Sequence, residues 1–166
     1  MEESGVVYLK TVEKQFRAMK DLAERALAQV QEEDLFWRPH EESNSISVLM
    51  KHLSGNLRSR WTDFLSSDGE KPWRRRDEEF QEETLSREEL FSRWEEAWQV
   101  LFATLSGLKA EDLLRTVTIR GEAQKALEAI QQQVYHTAYH VGQLVYLAKA
   151  RAGHGWQTLT VPRRPS

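Results

Sequence analysis

EAQKALEAIQQQVYHTAYHVGQLVYLAKARA, residues 122–152, is the stretch whose reading decides the fold. Ile130, Val134, Val141, Val145 and Ala148 recur with the 3.6-residue period of an amphipathic helix. No proline interrupts the run, and Gly153-His154-Gly155 supplies a stop. At about 1.5 Å per residue, a helix from Glu122 to Ala152 is ~45 Å long, the longest element expected in the chain. His136 and His140 stand four residues apart on it, on one face and close enough to share a metal ion. With His136 at zero and about 100° per residue, the apolar stripe centres near ~140°, His140 falls at ~40° and Gln143 at about −20°. The histidines therefore border the core stripe instead of sitting in its middle.

Working outward, three more amphipathic helices are predicted. Residues 5–31 carry Leu9, Val12, Phe16, Met19, Ala23, Ala26, Leu27 and Val30 at helical spacing. After a connection broken by Arg38-Pro39, Ser43-Asn44-Ser45 offers N-caps for a second helix. Its stripe is Ile46, Met50, Leu53, Leu57, Trp61 and Phe64, and it stops before Ser66-Ser67-Asp68-Gly69. The segment 67–85 is long, charged and rich in turn formers, the kind of loop that is often functional. Ser86 and Glu89 form a capping box for a third helix, whose core face is Leu90, Phe91, Trp94, Trp98, Leu101, Phe102 and Leu105 and which Ser106-Gly107 ends. Residues 108–114 have room for one more turn. Thr116 to Arg120 alternates like a short strand, and the tail beyond Gly155 reads as irregular. The expected fold is all-α: a four-helix bundle, one domain over residues 1–166, with a long loop between helices 2 and 3 and a short extended piece before helix 4.

Composition narrows the chemistry. At 40% apolar and 30% charged, the 166-residue chain reads as a soluble globular protein with one sizeable core. A net charge of −3 gives no global attraction for nucleic acid or an anionic membrane. The six tryptophans form no stacking series along a basic stripe, so nucleic acid is not an expected partner. No apolar run approaches the ~20 residues of a membrane span, and the Met-Glu-Glu-Ser start lacks the pattern of a signal peptide, so the expected location is cytoplasmic. The absence of cysteine leaves only His, Asp and Glu as protein metal ligands, and excludes a cysteine nucleophile.

Helix 2 repeats the layout of helix 4. With His52 at zero, the apolar stripe centres near ~130°, while Asn56 and Asp63 fall within about 40° of it and Ser59 at about −20°. Two helices thus carry a histidine and an amide at the edge of the apolar face, and two such edges meeting in a bundle make a polar pocket between apolar walls. His52, His136 and His140 are the candidate metal ligands. Asn56, Tyr139 and Gln143 are candidates for orienting ligands or substrate; Tyr139, at about −60°, is equally placed to pack against another helix. Asp63 lies ~16 Å along the helix from His52, too far for the same ion. His-Thr-Ala-Tyr-His has Thr137 where a zincin carries its glutamate, so the zinc-protease reading fails. His40 and His154 fall in loop-like segments and read as surface residues. Lys71, Arg74, Arg75 and Arg76 are either an anion-binding cluster at the bundle mouth or a solvated loop balanced by Asp77, Glu78 and Glu79.

Lys-His-Leu-Ser-Gly-Asn (51–56) and His-Thr-Ala-Tyr-His-Val-Gly-Gln (136–143) resemble the histidine motifs of the DinB/YfiT-like superfamily of bacterial proteins. Asn44-Ser45-Ile46, Ser59 to Phe64, Asp68 to Lys71 and the tail Leu159 to Pro162 resemble one branch of it, so the likeness spans nearly the whole chain. The resemblance implies a four-helix bundle with a divalent metal ion, zinc, nickel or similar, on His52, His136 and His140. It further implies a small-molecule substrate, with thiol-dependent transferases and isomerases among the relatives; homodimers are common among such bundles. Three neutral imidazoles leave the ion its full charge and open positions, where a bound water or a low-molecular-weight thiol would lose its proton. Without cysteine, the sulfur would come from a cosubstrate. The expected activity is transfer of such a thiol to an electrophile, with hydrolysis as runner-up; the alternative is a non-catalytic, metal-binding or dimerising stress-associated bundle.

Overall fold

In the computed structural model, which describes residues 2–81, 83 and 85–162, the chain is mostly helical with one small sheet. Helices α1 (Glu2–Leu27), α2 (Ile46–Trp61), α3 (Arg87–Gly107) and α4 (Ala126–Ala152) are joined by 3-10 turns, and strands β1 (Thr116–Ile119) and β2 (Glu122–Lys125) pair antiparallel just before α4. α2 packs on α3, α1 on α4, and α2 and α4 touch across the core. No helix among the described residues is long and apolar enough to cross a membrane.

Helices α2 and α3 start where their caps say. The Ser45 hydroxyl accepts from the Val48 N–H, and Ser86 and Glu89 close a reciprocal capping box at α3. Their inner faces meet in one apolar cluster whose largest members are aromatic. Trp61, Trp94, Trp98 and Phe16 are all at most 1% exposed, and Phe16 sits edge-on to Trp61 and Trp98 at 6.1 and 6.3 Å between ring centres. Such pairs contribute about 1 kcal/mol each beyond the area they bury.

Three boundaries differ from the periodic reading. α1 ends at Leu27 instead of residue 31, because the Arg87 guanidinium donates to the Leu27 and Val30 carbonyls and terminates the ladder from outside. α2 stops at Trp61, before Phe64, and the chain turns through Asp63 at φ 50°. α4 begins at Ala126, because residues 122–125 are β2 of a hairpin. The hairpin turns on Arg120 and Gly121, both at positive φ (56° and 77°), as a two-residue primed turn requires. Arginine is a poor residue for that conformation, which is why 116–120 reads as an isolated strand-like piece in sequence.

The Asp68 carboxylate holds this turn together. It accepts the backbone N–H groups of Glu70, Arg120 and Gly121 at 2.7–2.8 Å. Those bonds, Glu70's and Gly121's foremost, hold its pKa below the usual carboxylate range. A depressed folded pKa contributes stability that is complete above the unfolded value, ~3.9, and is lost as pH falls through the folded one. Asp68→Asn is therefore expected to lose about 1–2 kcal/mol at pH 7, discounted for partial exposure. Urea melts of the two proteins should converge as the pH is taken below about 4.

Residues 67–81 of the loop lie back over α2, so that the polar edge of α2 is buried and not at a rim. Ser59 donates to the Gly69 carbonyl at 2.7 Å and accepts from the Lys71 N–H at 3.1 Å. Asn56, Ser59 and His52 are all buried.

Candidate metal centre

α2 and α4 face each other with their histidine edges inward. His52, His136 and His140 each offer one ring nitrogen, and these nitrogens all lie within 4.8 Å of one another. The His52 and His136 Nε2 atoms are 3.1 Å apart. Ring centres are separated by 5.2 Å (52 to 136), 4.9 Å (52 to 140) and 4.6 Å (136 to 140), all edge-on. Among the described residues this is the one place where three such ligands converge.

Two of the three rings are oriented from behind. His140 Nδ1 contacts Gln143 Oε1 at 2.8 Å, one turn along α4. His52 Nδ1 contacts Glu79 Oε2 at 3.0 Å. A carboxylate only accepts, so His52 carries its proton on Nδ1 and presents Nε2 as a lone pair when neutral. The proton between the two Nε2 atoms then belongs to His136. His136 Nδ1 is buried with no partner, an unusual state for a polar atom and one that leaves a second nitrogen able to take that proton when Nε2 is needed as a ligand. Burial, then the neighbouring charges of His140, His52, Arg60 and Arg74, push the His136 pKa down to about 3. Burial lowers that of His140 too, against the Gln143 bond and with the His52 charge. Both rings are held neutral at pH 7, the form that binds a metal ion.

Glu79, which the sequence places among the balancing charges of the loop, reaches the triad. It comes from the 3-10 turn Arg76–Phe80. Arg74 grips it through Nε and Nη2 at 2.8 and 2.9 Å. Burial would raise the Glu79 carboxyl, but the bonds from His52 and Arg74, with the charge on Arg74, bring it below its ordinary value. Glu79 reaches His52 by lying across Gly55: a Cβ there would stand 2.1 Å from Glu79 Oε1. Glycine inside a helix is the one sequence signal of this approach. Phe80 follows, its ring centre 4.8 Å from that of His52.

The loop cations are accordingly reassigned. Arg74 is buried against Glu79, not solvated, and Lys71 is buried with its ammonium on the Asp68 carbonyl. Arg75 pairs with Glu78 and Arg76 with Asp77 at the surface, the balanced arrangement. Asn56 lines the cavity beside the histidines, buried, its Oδ1 without a partner. Tyr139 neither lines the cavity nor packs inward; it is 56% exposed, its ring edge-on to His140 at 5.0 Å. Asp63 is exposed in the turn after α2, and His40 and His154 are exposed, away from the triad.

The histidines form one wall of a cavity of about 450 Å³. Trp61, Phe64, Phe80, Ile119 and Ala129 give it apolar surface, and four arginines, Asn56, Gln132 and Gln133 give it polar surface; among the described residues no Asp or Glu lines it. The fit to a divalent ion is good on two grounds: three imidazoles converge, His136 and His140 among them held neutral, and His136 has an orphaned buried nitrogen. No curated protein matches the chain. Residues 3–165 match the family described as Protein of unknown function (DUF1572), a family known as DinB-like, and with nearly its whole length matched the chain belongs to it.

Proposed function

We propose that His52, His136 and His140 hold one divalent metal ion, zinc, nickel or similar, in a four-helix bundle of the DinB/YfiT-like type, and that the protein is an enzyme acting there on a small molecule. The observation that carries this reading is the convergence of three ring nitrogens within 4.8 Å on the wall of a cavity. When bound, the ion would supply Lewis acidity, turning a water or thiol beside it into an anion at neutral pH. Glu79 and Gln143 hold two ligand rings in the tautomer the ion needs. Trp61, Phe64 and Phe80 limit water around the reacting groups.

Transfer of a low-molecular-weight thiol is the leading reaction under this reading. The chain has no cysteine, so the sulfur arrives with a cosubstrate. The new bond joins that sulfur to an electrophilic carbon; the leaving group departs with its electron pair, and the thiol proton passes to solvent. Hydrolysis by a water that the ion activates is the runner-up; among the described residues no carboxylate lines the cavity to assist it as a general base.

Elemental analysis of protein purified without a metal-affinity tag tests the site. About one equivalent of a transition metal is expected. Less than about a tenth, with no uptake on titration, would sink the reading. Unfolding on chelation would instead support a non-catalytic bundle with a structural ion.

A further inference from the structure

We propose that the cavity is built for an anionic substrate, with the Arg60 guanidinium receiving a carboxylate or phosphate group at the end away from the histidines; the inference rests on the proposed reading of the site and adds a substrate class to it. Arg60 follows His52 and Asn56 along one side of α2, at steps of four residues. Histidine and arginine positions are therefore ~12 Å apart along the helix axis, with an unpartnered amide oxygen between them. A small molecule lying along α2 meets the three in order.

Arg60 lacks the partner that a half-buried guanidinium normally has. Its Nε is fully buried without a hydrogen-bond acceptor, and no carboxylate among the described residues stands within ion-pair distance of it. The nearest acids are engaged elsewhere. Glu70 pairs with Arg120 at 2.9 Å and approaches Arg74 at 3.7 Å, and Asp68 is occupied by three backbone N–H groups. Burial and then the Arg120 charge hold the Arg60 pKa below its ordinary value, the mark of a cation short of a counter-charge. Arg60, Arg74, Arg76 and Arg120 all line the cavity, and among the described residues no acid does. A planar guanidinium on the cavity wall, with no ion-pair partner among the described residues, matches an oxyanion in bidentate fashion.

The test uses two thiols of equal length, 6-mercaptohexanoate and 6-mercaptohexanol, titrated against the full chain by its tryptophan fluorescence, since Trp61 lines the cavity. Hexyl phosphate is a third probe, distinguishing phosphate from carboxylate preference. In metal-free protein the carboxylate should bind about tenfold tighter than the alcohol, the worth of one charge-assisted contact. Arg60→Gln should abolish that preference, and Arg60→Lys, which keeps the charge but not the fork, should retain part of it. Equal affinity of all probes, no binding of any, or an undiminished preference in a folded Arg60→Gln protein would overturn the proposal. Metal uptake by the wild-type chain is measured in parallel. Anion preference without metal uptake defeats the metal reading alone, and metal uptake without anion preference defeats this inference alone.

Discussion

Replacing His136 by alanine is expected to remove tight metal binding and leave the fold intact. Four-ligand structural zinc sites bind with about 10–16 kcal/mol, so one imidazole of three carries about 3–4 kcal/mol, a factor of ~10²–10³ in affinity. His140→Ala should behave alike. The fold survives because His136 stabilises the metal-free protein little: its Nδ1 is buried without a partner, so the desolvation cost of that atom offsets the burial of the ring. Competition against a chromophoric chelator measures the affinity, and thermal melts in chelator measure the fold. A His136→Ala protein that binds metal as tightly as the parent would show that the triad is not the site. One that unfolds in chelator while the parent does not would show that the ring is needed for packing.

Loosening Glu79 is expected to weaken metal binding about tenfold to a hundredfold, although Glu79 touches no ion. Glu79→Gln keeps an oxygen for His52 Nδ1 but loses the charge that fixes the ring and answers Arg74. Gly55→Ala reaches the same end from the other side. Alanine favours a helix interior by about 1 kcal/mol over glycine, yet the new Cβ would lie 2.1 Å from Glu79 Oε1 and 2.8 Å from its carboxyl carbon. The carboxylate must move off His52, leaving the Arg74 side chain, 2% exposed, with its main partner displaced. Breaking such a buried pair costs about 3–5 kcal/mol, so Gly55→Ala should lower both the melting temperature and the metal affinity. Metal affinity unchanged in Glu79→Gln would reduce Glu79 to a structural partner of Arg74.

The histidine triad was legible because its members sit on long periodic helices. On α4 the four-residue spacing alone puts His136 and His140 on one face, and the same arithmetic places His52 and Asn56 on the matching edge of α2. Gln143 was within reach for the same reason. Arg60 falls ~80° round from His52, toward the apolar stripe, a position whose meaning emerges only when a cavity is known to face it. Glu79 was out of reach: it lies 27 residues from His52 in a loop with no period. The hairpin before α4 was hidden likewise, since its turn places an arginine at positive φ and is held by Asp68, some fifty residues away.

By itself, then, the sequence determined four amphipathic helices, the N-caps of α2 and α3 and which edges of two helices carry imidazole, because periodicity and capping are local. The tertiary structure alone decided that residues 67–81 close over α2, that Glu79 crosses Gly55 to hold His52, and that Arg60 faces the cavity with no carboxylate of the described residues at ion-pair distance. Those features depend on single contacts between segments far apart in the chain, and a single contact leaves no period in the sequence.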